Sequence, residues 1–147
     1  MKFAFFALAL ALPLPGFAQS QQRTTTLAAL RDRNRVLLVF EGGDAQMGQR
    51  QRETVMQHAA EFRERDLVLV GLHGNQDTVP AAKLSARDDA AARARFQIEP
   101  GTFVVMLLGK DGGEKLRSHA PIAWETLKQT IDAMPMRRSE ARGGASR

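Results

Sequence analysis

Two carboxylates and an imidazole stand where two apolar runs end. Val36–Phe40 is followed by Glu41 and Asp44, and Leu67–Leu72 by His73, with Asp77 further on. If both runs are parallel strands, their carboxyl ends bring Glu41, Asp44 and His73 to one edge of the sheet, where open α/β sheets bind ligands. Such a donor set suits a hard or borderline divalent cation. It can also move a proton in acid–base catalysis. The three residues come from separate segments and match no metal-motif spacing. The simpler reading is therefore structural: Asp44 caps a helix, Glu41 is an exposed strand-end carboxylate and His73 is a surface imidazole. Gly42–Gly43 offers backbone N–H groups to an anion at a helix start. Asp44 opposes that use, and neither Gly-x-x-x-x-Gly-Lys-Ser/Thr nor Gly-x-Gly-x-x-Gly occurs.

A second group is basic. Lys110, Lys115 and Arg117 surround a predicted hairpin, and Arg137 and Arg138 follow the last predicted helix. Together they can meet an acidic partner, or they simply solubilise an edge strand and discourage edge pairing. Met47 and Met56 read as core fillers. His58 and His119 read as isolated, and no serine has a plausible His/Asp triad around it.

The chemistry that is excluded is as informative. The 147 residues contain no cysteine, which rules out disulfides, thiolate metal sites and thiol catalysis. No cofactor is implied. Lys and Arg number 21 against 16 Asp and Glu, a net charge of +5. Much of that excess lies at the ends, in Lys2 and in Arg137, Arg138, Arg142 and Arg147. The nearly neutral body is no electrostatic footprint for nucleic acid. With no Tyr and 1 Trp, base-stacking platforms are scarce too.

These residues need elements to position them. Residues 1–18 read as a secretory signal peptide: Lys2, an apolar run from Phe3 to Leu12, then Gly16 and Ala18 at a small-residue cleavage site. The run is too short to span a bilayer, so the expected product is an exported chain that is not an integral membrane protein. Residues 19–34 read as a loose segment with a short helix capped by Thr26. Val36–Phe40, Leu67–Leu72 and Thr102–Leu108 read as buried strands. Asp44 caps a predicted helix to about Arg63, whose apolar side is Met47, Val55, Ala59 and Phe62. Ser85 and Asp88 fit a capping box opening a helix to about Arg95. Asp111-Gly112 predicts a hairpin turn into a short strand, Lys115–Ser118. Pro121 suits a first helical turn, Trp124, Leu127, Ile131 and Met134 form a helical stripe, and Pro135 ends it. Residues 35–136 then form one domain, and residues 137–147 a loose basic tail.

A parallel pair, an antiparallel hairpin and a closing helix give an α/β, thioredoxin-like fold with a central mixed four-stranded sheet flanked by helices. The stretch FQIEPGTFVVMLLGKDGGE carries the likeness to thioredoxin. More closely, RVLLVFEGG, RERDLVLVG, the Phe103 strand with GKDGGEKLR, and IDAMPMRRSE resemble the bacterial family called domain of unknown function 4174. That family is similar to thioredoxin-like domains of secreted sushi-repeat proteins. The resemblance implies the fold and an exported setting, and a peroxiredoxin-like role has been suggested for the family by fold analogy. Thioredoxins carry Cys-x-x-Cys where this chain has Ala45 and Gly48. They carry a cis-proline where this chain has Gly101, with Pro100 one position early. A redox role is thus disfavoured, since disulfide exchange needs a thiolate. The expected function is a non-catalytic binding or interaction module whose partner is another envelope or secreted protein. The alternatives are a metal-dependent or acid/base enzyme using Glu41, Asp44 and His73, and an envelope-surface binder working through its Arg-rich tail.

Overall fold

Val36 to Phe40 contains no polar side chain, and all of it is buried in the central strand. The computed structural model describes residues 23–72 and 79–144. Residues 1–18, expected to be a signal peptide, and His73 and Asp77 lie outside the described residues. In chain order the elements are β1 (Arg23–Thr25), α1 (Leu27–Leu30), β2 (Arg35–Phe40), α2 (Ala45–Gln57), α3 (Ala59–Glu64) and β3 (Leu67–Val70). They continue with β4 (Ala81–Leu84), α4 (Ala86–Phe96), β5 (Val104–Leu108), β6 (Glu114–Ser118), α5 (Trp124–Asp132) and α6 (Pro135–Gly144).

The sheet has six strands in the order β1-β4-β3-β2-β5-β6, not the four expected from the sequence. β2 pairs parallel with β3 and antiparallel with β5, and β5 pairs antiparallel with β6. The expected core of the sheet is therefore present. The two additional strands, β4 and β1, extend it in parallel beyond β3. Residues 23–25, expected to be loose, are ordered by that pairing.

Alternation along the strands builds two cores. Leu37, Val39, Leu69, Val105 and Leu107 face one side, where Val55, Phe62, Trp124, Leu127 and Ile131 from α2, α3 and α5 cover them. Val36, Leu38, Phe40, Val70 and Met106 face the other, under Ala92 and Phe96 of α4, with Leu27 and Leu30 of α1 at its margin. The result is a three-layer α/β/α arrangement.

The helix starts follow their caps. Thr26 Oγ1 accepts from Ala29 N–H at 3.1 Å, Asp44 from Gln46 N–H at 2.9 Å, and Ser85 Oγ from Asp88 N–H at 3.1 Å. The helix expected from Asp44 to about Arg63 is divided at His58, which separates α2 from α3. α5 ends at Asp132, ahead of Pro135 as expected, and Pro135 itself opens α6, where a proline's missing N–H and fixed φ are compatible with a helix start. The expected loose tail from Arg137 is instead mostly this helix.

Gln51 is fully buried in α2 and clamps the chain before α5. Its Oε1 accepts from Ile122 N–H at 2.7 Å and its Nε2 donates to Ile122 C=O at 3.3 Å. Gln51→Leu keeps the volume but strands both backbone groups. It is expected to cost about 1–3 kcal/mol, read as a lower urea midpoint at unchanged slope.

Candidate functional site

The carboxyl end of β2 runs directly into the loop Glu41–Asp44 and then α2. Gly43 N–H donates to Gly101 C=O at 3.2 Å. Gly42 is pressed onto the same neighbour: a Cβ there would lie 2.4 Å from Phe103 N and 2.7 Å from Gly101 O. Two loops thus meet backbone against backbone at the sheet end where the thioredoxin likeness places its chemistry. Ala45 opens α2 and is exposed, and Gly48 is buried in its first turn.

Glu41 leans over Gly48. Its Oε1 is 2.9 Å from where a Gly48 Cβ would lie, and it meets Arg52 Nη2 at 3.9 Å. Asp44 is committed to the Gln46 N–H. The structure thus places Glu41 and Asp44 in one loop and gives each a partner within α2. His73 lies outside the described residues. Among the described residues no three His, Asp or Glu side chains gather closely enough to hold a metal ion.

The basic candidates lie elsewhere. Strand register puts Arg35, Leu67 and Leu108 at the amino end of the parallel strands, opposite Glu41. Lys110 Nζ sits there between Asp66 at 2.8 Å and Glu140 at 2.7 Å. Arg137 of α6 pairs with Glu64 at 2.6 Å and approaches Asp132 at 3.6 Å and Glu140 at 4.0 Å. Lys115 pairs with Asp111 at 2.7 Å. Arg117 holds Glu114 through two nitrogens at 3.0 and 2.7 Å and donates to Phe96 C=O. Arg138 is exposed on α6, and no partner for its side chain occurs among the described residues. Four of these five cations are thus neutralised within the chain rather than presented as one basic surface.

The centre of this charge network is a residue the sequence reading passed over. Arg35 is 1% exposed. Its Nη1 donates to Arg65 C=O at 3.0 Å, and both terminal nitrogens reach Glu140 Oε2 at 3.2 Å. Arg65, also buried, grips Asp132 through Nε at 3.0 Å and Nη2 at 3.1 Å. Glu140 and Arg137 of MPMRRSE therefore fasten α6, Glu140 to Arg35 of β2 and Arg137 to Glu64 of α3.

The ionisation of this network follows from its contacts. Burial pushes the Glu140 carboxyl up, but the hydrogen bond from Lys110 and the charges of Arg35 and Lys110 outweigh it and hold the group below its usual range. Asp132 behaves alike: burial raises it, and Arg65, with Lys128, brings it lower. Carboxyls lowered in the folded state stabilise it above their unfolded values, about 4.3 for Glu and 3.9 for Asp, and lose that contribution as pH falls. Urea midpoints are therefore expected to drop between pH 6 and pH 3. Glu140→Gln should flatten that drop, and an equally steep profile in the variant would remove Glu140 from the account.

His58 is not isolated as the sequence suggested. Its ring stacks on Trp124 at 5.2 Å between centroids, and its Nδ1 lies 3.0 Å from Glu61 Oε1. Trp124 Nε1–H donates to Glu61 Oε2 at 3.0 Å. Hydrogen bonds from His58 and then Trp124 hold the Glu61 carboxyl below its ordinary value.

With this geometry in view, comparison decides the family. Residues 26–140 match the family model described as Domain of unknown function (DUF4174). The chain belongs to that family. The matched span begins at the Thr26 cap and ends at Glu140, so the charge-fastened helix α6 falls largely within the DUF4174 domain. No curated protein sequence matches the chain. Among solved structures it is similar to the exposed lipoprotein thioredoxin Etrx1 of Streptococcus pneumoniae, at TM-score 0.51 and 12% identity over 74% of this chain and 90% of that one. It is also similar to thioredoxin peroxidase I of Plasmodium yoelii, at TM-score 0.57 and 15% identity over 77% and 79%. The reduced 2-Cys peroxiredoxin of Plasmodium vivax gives 0.56 and 13% over 77% and 84%. At these identities the likeness establishes a thioredoxin-like fold for this DUF4174 domain.

Proposed function

We propose that this protein is an exported, thiol-free binding module that recognises another envelope or secreted protein through the loops Glu41–Asp44 and Glu99–Phe103. The observation that carries this reading is the pairing of two braced loops with an absent nucleophile. Gly42 and Gly43 seat on Gly101 and Phe103, while Ala45 and Gly48 occupy the two positions where thiols would stand. A rigid sheet presenting two mutually braced loops is a common platform for recognition. The peroxidase reading invited by the fold fails on chemistry, because reduction of a peroxide by that route consumes a thiolate. Export rests on Lys2, the apolar run Phe3–Leu12 and the small residues Gly16 and Ala18. Among the described residues no helix is long and apolar enough to cross a membrane.

The test is chemical crosslinking in living cells followed by mass spectrometry. One protein joined reproducibly to peptides containing residues 41–44 or 99–103 supports the reading. Capture only through other surfaces, or none above background in well-expressing cells, overturns it.

A further inference from the structure

Between α1 and the β5–β6 turn lies a cleft of about 120 Å³, floored by Val36 of β2 and walled by Leu27 and Leu30. It is at the amino end of the parallel strands, opposite the loops assigned to partner binding, and a ligand there is independent of that assignment. Two arginines line it, Arg31 and Arg95, and no Asp or Glu does.

Three observations describe what would fit. First, both cations are accessible and neither is neutralised. Arg31 and Arg95 are exposed, and no carboxylate pairs with either among the described residues. Arg35, Arg65, Arg117 and Arg137, by contrast, each hold one. The acidic residues beside the cleft in sequence, Asp32 and Asp111, form no part of its lining, and Asp111 is bound to Lys115. Secondly, the two arginines converge on one residue. Arg95 Nη2 donates to Gly112 C=O at 2.8 Å. A Cβ on Gly112 would lie 3.7 Å from Arg31 Cδ and 4.0 Å from its Nε. Two like charges brought to one glycine repel, and an anion between them relieves the repulsion. Thirdly, Arg95 is held before any ligand arrives. Its guanidinium stacks over the Phe96 ring at 4.7 Å, while its Nε and Nη1 keep donors to spare. Donors fixed in advance cost little to order on binding.

We infer that this cleft binds a phosphoryl group, free or as a small monoester, whose oxygens accept from Arg31 and from the unengaged N–H groups of Arg95. Two guanidinium groups without a carboxylate suit about two negative charges, which a phosphoryl group approaches near neutral pH and a single carboxylate does not. The planar arginine fork matches phosphate oxygens. A cation is repelled, and the volume lies below that of drug-sized ligand pockets, so the ligand is small. The carbon of an ester would lie on Leu27 and Leu30.

The probes are inorganic phosphate and ethyl phosphate, titrated at neutral pH and constant ionic strength into the purified protein and followed by heteronuclear NMR. The Gly112 amide and the Arg31 and Arg95 Nε–H signals should move together and saturate, with acetate binding at least about fivefold more weakly. Arg31→Gln removes no side-chain hydrogen bond or ion pair among the described residues, so it should leave the melting temperature in place. It should weaken phosphate by about fivefold or more, the worth of a charge-assisted hydrogen bond discounted for exposure to water. Arg138→Gln removes another exposed, unpaired arginine, on α6, and should change nothing. Tighter binding of ethyl phosphate than of phosphate supports the site as one for a monoester, and equal binding supports it as one for free phosphate. Acetate binding as tightly as phosphate, equal effects of Arg31→Gln and Arg138→Gln, or no saturable shift at phosphate concentrations of about tens of millimolar would each overturn the inference.

Discussion

Glu140→Ala is expected to cost about 3 kcal/mol of folding stability, the range for removing one partner of a buried ion pair. Glu140 itself is partly exposed, at 28% of its side chain. The loss arises on the other side of the pair, because Arg35 is almost wholly buried and would keep only the Arg65 carbonyl as an acceptor. Lys110 would lose one of its two carboxylates at the same time. The double replacement Arg35→Met with Glu140→Leu removes the charge along with its partner, so it should be less harmful than Glu140→Ala alone. Urea titration of these variants and of the singles Arg35→Met and Glu140→Leu gives the comparison through midpoints at constant slope. If the double variant equals the sum of the singles, the two residues are uncoupled and α6 is not fastened as described.

Gly42→Ala is expected to be comparably damaging, at about 3 kcal/mol, the upper end for overpacking. The added methyl would meet the Phe103 nitrogen at 2.4 Å and the Thr102 carbonyl carbon at 2.8 Å. Both belong to backbone, which cannot rotate aside as a side chain can. Gly43 next door has nothing within 4 Å of its own Cβ position, so Gly43→Ala should fall within about 0.5 kcal/mol of the parent. The pair of neighbours separates close approach of the two loops from any general need for glycine. Because Gly42 joins the loops, its substitution should also weaken partner capture, whereas Gly43→Ala should leave capture intact.

Which elements were visible in the sequence depends on the range of the forces that form them. β2, β3 and β5 were legible as continuous apolar runs, because strands buried on both faces need no alternation. Thr26, Asp44 and Ser85 were legible as caps, because a cap bonds to a backbone group two or three residues away. β1 and β4 were not. Apart from Leu84 their residues are small or polar, and they are strands only through parallel pairing, β1 with β4 and β4 with β3. Arg35 was hidden by its type, since an arginine before an apolar run reads as an exposed flank. α6 was hidden for the same reason. Its arginines look like solvated tail, and only the distant Arg35, Lys110 and Glu64 turn that charge into an anchor.

The candidate site divides in the same way. The position of Glu41 and Asp44 beyond β2 followed from strand direction. The partner of Asp44, within its own helix turn, followed from its reading as a cap; that of Glu41 did not, since it is set over a glycine whose missing side chain leaves the room. The five basic residues were placed near one another by hairpin and tail, yet carboxylates that the linear reading did not pair with them consume most of their charge.

The central claim is that this thioredoxin-like scaffold binds a partner at its carboxyl-end loops without chemistry of its own. The measurement that bears on it most directly is photocrosslinking in living cells, with a photoreactive residue placed at Glu99 or Asp44 and, as the contrast, at Lys128 on α5. The account predicts one protein captured reproducibly from the two loop positions and not from Lys128. Capture from Lys128 alone, or equal capture from all three positions, would contradict it.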